Sequence, residues 1–161
     1  MDEAGSKGGR ARDARLAEFE FGLITVAHAF QRWALRCMAV SGMKDLTVTD
    51  VLVLHHINHR ARGKKLADVA FILNIEDAYV VNYSLKKLQS LDLVHTERHG
   101  KEVLYSTNAR GQALCRRYYD VREQVLVSGI DAQSGELTGA AHFLRVLSGL
   151  YDQAARSAAT M

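Results

Sequence analysis

No proline interrupts the 161 residues of this chain, and that absence constrains its fold more than any motif does. Proline removes a backbone donor and clashes with the preceding turn, so without it helix is the default wherever the hydrophobic period permits. Long stretches rich in Ala, Leu, Arg, Glu and Gln point the same way. Hydrophobic residues make up 48% and charged residues 24%, which is the balance of a folded chain and not of a disordered one. A chain of this length is expected to form one well-buried core with extensions, too short for two ordinary globular domains.

The periodicity divides the chain. Residues 1–13 are glycine-rich and basic with almost nothing apolar to bury, and read as a disordered basic tail. From 14 to about 40, Leu16, Phe19, Leu23, Val26, Phe30, Trp33, Leu35 and Met38 recur mostly at three- and four-residue steps, which predicts a long amphipathic helix closed near Gly42. A second helix is predicted from Thr47 or Thr49, either of which can cap it, through Leu54 and Ile57. After the basic turn from Arg60 to Lys65, Leu66, Val69, Ala70 and Leu73 mark a third, shorter helix. Asn74 and Ile75 break it, and Glu76 and Asp77 place carboxylates at the start of a fourth helix, where the helix dipole favours them. The runs around Val94 and Val103, separated by the tip from Arg98 to Glu102, predict a β-hairpin. Helix resumes beyond Asn108 to about 127, breaks over 128–135, and returns from Glu136 to about 157.

Helix, helix, short helix, turn, helix, hairpin, helices is the layout of a mainly α winged helix-turn-helix with a two-stranded β-hairpin wing. In that layout the second helix of the pair fits a major groove while the wing reaches neighbouring phosphates. The period of this recognition helix turns Val81, Leu85 and Leu88 to the core. Asp77, Ala78, Tyr79, Asn82, Tyr83 and Lys86 fall on the opposite or flanking face and are the candidate DNA-reading residues. Asn82 suits an adenine edge and Lys86 a phosphate. Arg60, Arg62, Lys64 and Lys65 before the motif, with Arg98, His99 and Lys101 at the wing, are candidate contacts to the DNA backbone. A formal charge of +3 and a pI near 9.0 suit a polyanionic partner.

Local matches carry a family likeness. They are Leu46-Thr47 opening the second helix, Val69-Ala70 followed by Leu73-Asn74-Ile75, and Leu85, Leu88 and Leu91 running into Leu93-Val94. In this order the chain resembles the multiple-antibiotic-resistance regulator (MarR) family of winged-helix transcription factors, with a wing that lacks the family's Asp-x-Arg motif and with Asp92 where a glycine is usual. The resemblance implies a homodimer on double-stranded DNA whose first and last helices interlock. It assigns 14–45 to an N-terminal dimerisation helix, 46–107 to the DNA-binding region and 108–161 to C-terminal dimerisation helices, all in one compact domain. Leu16, Phe19, Leu23, Phe143, Leu147 and Leu150 are then the candidate dimer interface. It also implies transcriptional control by an unidentified small-molecule effector, for which His28, Trp33 and Cys37 are candidate lining residues, with core packing as the default for Trp33 and Cys37.

Other chemistries are less well supplied. His55 and His59 stand four apart, a spacing compatible with zinc, but no Glu or Cys in the run completes a ligand set, so no metal is expected. Cys37 and Cys115 form no CxxC pair, and packing is favoured over oxidant sensing. No GxSxG, P-loop or dinucleotide fingerprint is present, so neither an enzyme nor a cofactor is expected. No apolar run approaches the roughly 18 residues of a membrane span, and the expected location is the cytoplasm. The rival to DNA binding is a winged helix that serves protein–protein interaction instead.

Overall fold

The structure, a computed structural model, describes residues 3–130 and 134–161. The chain divides into two compact units, the first ending at Val121 and the second beginning at Arg122. This differs from the single compact domain expected, and the boundary differs too. The first helix after the hairpin belongs with the winged region, because Leu114, Cys115 and Tyr118 on its inner face are buried in the same core cluster as Met38, Leu54 and Leu88.

In the first unit, α1 spans Glu3–Val40. The expected tail is therefore corrected over residues 3–13, which continue the helix; Met1 and Asp2 lie outside the described residues. Elongating a nucleated helix is far easier than starting one, and no proline stops it here, so propagation outweighs the cost of the glycines. Among the described residues, α1 enters the core through Ala34, Cys37 and Met38 in its C-terminal part, whereas Leu16, Phe21, Ile24, Val26 and Phe30 are exposed. Gly42 then turns the chain at φ 113°, a left-handed value that glycine adopts without strain.

Helix α2 covers Val48–Asn58, α3 Leu66–Ile72 and α4 Ala78–Ser90. Thr47 caps α2 reciprocally: Asp50 N–H donates to Thr47 Oγ1 at 3.2 Å and Thr47 N–H to Asp50 Oδ2 at 2.8 Å, which satisfies two orphan donors at once. Between α3 and α4, Asn74 takes φ 52°, and Ile75 N–H donates to Ala70 O at 2.9 Å, closing the tight turn of the helix pair. Asparagine is among the few non-glycine residues that tolerate this region.

Strands β1 (Val94–His99) and β2 (Glu102–Thr107) pair antiparallel, from Val94 opposite Thr107 to His99 opposite Glu102. The two-residue link starts with Gly100 at φ 63°, which suits a hairpin turn whose first central residue must be left-handed. A bridge the sequence reading lacked joins Lys64 to Tyr105, with bonds of 2.9 Å in both directions, and ties the α2–α3 segment to the root of the wing. Asp92 occupies φ 55°. The strain is shared with Asn108, whose Nδ2 donates to Asp92 O at 2.9 Å and Oδ1 at 3.0 Å. Helix α5 follows over Ala109–Arg122.

In the second unit a π-helical turn, Glu123–Val127, and a short helical turn, Ser128–Ile130, precede α6, Ser134–Ala158. Helix α6 carries exposed Leu137, Phe143, Leu144, Val146 and Leu150. Among the described residues no helix is long and apolar enough to cross a membrane.

Candidate nucleic-acid interface

The interface is built outward from α4. Asp77 stands just before the helix, and its Oδ1 accepts from Tyr79 N–H at 2.9 Å. Its carboxylate thus serves as the N-cap, a role worth roughly 0.5–2 kcal/mol. Val81, Leu85 and Leu88 are wholly buried, each contributing about 1.5–3 kcal/mol by leaving water, and they fix the rotation of α4. That rotation leaves Tyr79 82% and Tyr83 71% exposed. Four residues apart, the two rings share one face, and neither is a core aromatic. Ala78 and Lys86 are exposed and Asn82 is half-buried beside them. A concavity of ≈ 590 Å³ runs between this face and Thr47 and Thr49 at the start of α2.

Beneath the exposed face lies a polar clamp that sequence reasoning missed. Asp50 is 1% exposed, and its carboxylate accepts from Ser84 Oγ at 2.6 Å and Lys87 Nζ at 2.7 Å, both on α4. Burial pushes the Asp50 carboxyl up. The bonds from Lys87, Ser84 and Thr47 more than cancel this and hold it below the usual carboxylate value. A buried carboxylate that receives charge-assisted bonds from one helix while capping another fixes their spacing.

The predicted backbone cations separate into engaged and available groups. Lys64 Nζ donates to the carbonyls of His59 at 2.5 Å, Arg62 at 3.3 Å and Ile57 at 3.5 Å, so it closes the end of α2 where carbonyls lack helical partners. Lys65 pairs with Glu102 at the far side of the hairpin tip, which raises the Lys65 ammonium above its ordinary value. Arg60 and Arg62 are exposed beside them. At the wing Arg98, His99 and Lys101 are exposed as well, and the Nε2 atoms of His95 and His99 flank the Glu97 carboxylate at 3.4 and 3.5 Å.

Comparison with known proteins bears on this arrangement. Residues 46–111 match the family model described as a winged helix DNA-binding domain, and no curated protein matches the sequence. A MarR family regulator from Neisseria meningitidis, NMB1585, shares the fold at a TM-score of 0.70 and 13% identity, over 86% of this chain and 94% of that one. A mutant MarR from E. coli complexed with operator DNA aligns at 0.67 and 17% identity, over 83% and 95%. CouR from Rhodococcus jostii, bound to p-coumaroyl-CoA, aligns at 0.67 and 15%, over 80% and 90%. The fold is that of the MarR family regulators.

Within this MarR fold the remaining sequence candidates divide between packed and exposed positions. His55 lies edge-on to Tyr118 at 4.3 Å and near Tyr119 at 5.4 Å. His59 closes α2, its N–H donating to the carbonyls of His55 and His56; no group of three or more His, Cys, Asp or Glu side chains that could hold a metal occurs among the described residues. Cys37 is buried with Sγ donating to Tyr118 O at 3.5 Å. Burial pushes the Cys115 thiol up to about 12, and Arg116 offsets this only in part, which is the condition of an inert packing thiol. Trp33 packs against the core and His28 is exposed. Phe19, Leu23 and Leu147 are half-buried, and Leu16, Phe143 and Leu150 exposed.

Proposed function

We propose that the chain is a sequence-specific DNA-binding transcriptional regulator, a homodimer acting in the cytoplasm on a pseudo-palindromic operator. The observation that carries this reading is the pair of exposed tyrosines with Asn82 and Lys86 on a helix whose opposite face is locked into the core. Exposed aromatic rings cost free energy in water, and a groove of bases and phosphates covers them. Ala78, Tyr79, Asn82, Tyr83 and Lys86 contact the DNA from α4, with Asp77 capping the helix. Arg60, Arg62, Arg98, His99 and Lys101 neutralise phosphates, and Lys64 and Lys65 hold the turn and wing that present them. Exposed apolar side chains on α1 and α6 support the dimer, in which Leu16, Phe19, Leu23, Phe143, Leu147 and Leu150 meet a second copy. Two such α4 helices sit about 34 Å apart, one turn of duplex. A small-molecule effector that favours one spacing over another then shifts the operator-bound population; CouR, of the same fold, was found with p-coumaroyl-CoA.

A gel-shift series with the chain's own upstream DNA and random DNA tests the reading. Retention at low salt that weakens steeply as salt rises, with preference for upstream DNA, supports it. Absence of retention at low salt favours the protein-interaction alternative.

A further inference from the structure

Strand β1 places His95, Glu97 and His99 at alternate positions, and alternate positions of a strand share one face. All three are exposed. The Glu97 carboxylate stands between the two rings, 3.4 Å from Nε2 of His95 and 3.5 Å from Nε2 of His99. A wing that meets DNA is an unfavourable place for an exposed carboxylate, because phosphates repel it. From Val94 to Thr107 two cations, Arg98 and Lys101, are set against two carboxylates, Glu97 and Glu102, so the hairpin has no net charge while its histidines are neutral. Histidine is the side chain that ordinarily changes charge between about pH 5 and 8. With both rings protonated, the same hairpin gains two positive charges.

The surrounding charges leave this row to its own members. Across the hairpin, His95 stands opposite Ser106, Glu97 opposite Leu104 and His99 opposite Glu102. Glu102 is paired with Lys65, so Glu97 is the wing carboxylate that histidines meet. Next along β2, Tyr105 bridges through its backbone to Lys64, whose ammonium is turned onto the carbonyls of His59, Arg62 and Ile57. Where α4 runs into β1, Lys87 is held by Asp50 and Asp92 by Asn108. Arg98 and Lys101 are exposed toward the tip. We propose that the His95–Glu97–His99 row is a pH-sensitive switch built into the wing. Neutral rings leave Glu97 to repel the DNA backbone; protonated rings offset its charge and add cations that face phosphate. DNA affinity therefore rises as pH falls from about 8 to about 6, and by reciprocity DNA binding takes up protons. The switch rests on the DNA-binding reading, since its output is affinity for a polyanion.

Fluorescence anisotropy with a labelled random-sequence duplex, at matched ionic strength near pH 8 and near pH 6, tests the switch. Wild-type affinity is expected to rise at least about tenfold at the lower pH, at about threefold for each charge brought near a phosphate. The slope of log affinity against log salt should steepen by about one for each ring that meets a phosphate. Combining His95→Gln with His99→Gln removes most of the gain and the steepening; the histidines outside the wing remain in this variant and give the background. Glu97→Gln should tighten binding near pH 8 by at least about threefold. All three side chains are exposed, so circular dichroism and melting temperature of each variant should match wild type at both pH values and report an intact fold. An equal gain in wild type and the double histidine variant, or no effect of Glu97→Gln near pH 8, would overturn the switch and leave the DNA-binding reading standing. Absence of wild-type binding at both pH values would defeat that reading and the switch with it.

Discussion

Replacing Asp50 by alanine is expected to be among the most destabilising single changes in the first unit, because one carboxylate serves donors from three residues. Ser84 Oγ at 2.6 Å, Lys87 Nζ at 2.7 Å and Thr47 N–H at 2.8 Å all lose their acceptor. Hydrogen bonds to a charged group contribute about 1.5–3 kcal/mol each. They do not sum in full, because the Lys87 side chain is 26% exposed and its ammonium can turn to water. The Ser84 hydroxyl, 2% exposed, has no such escape. A net loss of roughly 3 kcal/mol follows, a large fraction of the ~5–15 kcal/mol that stabilises a typical domain. In urea, with a slope of about 1–3 kcal/mol/M, the midpoint should fall by at least ~1 M with the slope unchanged. The pH dependence adds a second constraint. Because the folded carboxyl is held below its ordinary value of 3.8, its stabilisation is fully present above that value and disappears as pH falls through the depressed folded value. The gap between wild type and Asp50→Ala should therefore stay constant from neutrality down to about pH 5 and close in stronger acid. A midpoint change under about 0.2 M, or a gap that is the same at pH 3 as at pH 7, would refute this account of the clamp.

Other positions give sharper or simpler outcomes. A Cβ at Gly111 would stand 2.1 Å from the Leu93 carbonyl oxygen, a backbone atom that cannot swing away, so Gly111→Ala should cost more than about 3 kcal/mol in the same urea assay. Asn82→Ala should flatten sequence preference in a binding-site selection, whereas Lys101→Ala should weaken all sequences alike and reduce the salt slope by about one. With its thiol pushed up to about 12, Cys115 should resist iodoacetamide at pH 8 in the native protein and react only after unfolding, as followed by mass spectrometry. Leu150→Asp, on an exposed apolar position of α6, should shift the chain from dimer to monomer in light scattering.

What was legible in the sequence is what repeats along it. The period of α4 separates Val81, Leu85 and Leu88 from Tyr79 and Tyr83, and burial follows that division. Punctuation was equally readable, at Thr47, Gly42 and Asn74. Pairings across the chain were not. Asp50 reads locally as an acidic residue in a first helical turn, since its α4 partners lie 34 and 37 positions away. Lys64 has the sequence context of a phosphate contact, yet the ends of α2 and the turn surround it with carbonyls. The bridge between Lys64 and Tyr105 is a single pair and leaves no alternating pattern. Residues 3–13 were misjudged because their composition speaks against burial, whereas an exposed helix needs only an existing helix to extend.

Placement of α4 in the major groove as one of two symmetric readers is the claim on which the functional account stands. Hydroxyl-radical footprinting, paired with guanine N7 methylation interference on a selected operator, tests it most directly. The account predicts two related protected tracts about one helical turn apart, with guanine N7 methylation blocking binding inside each. A single asymmetric tract, or protection indifferent to major-groove methylation, would contradict it.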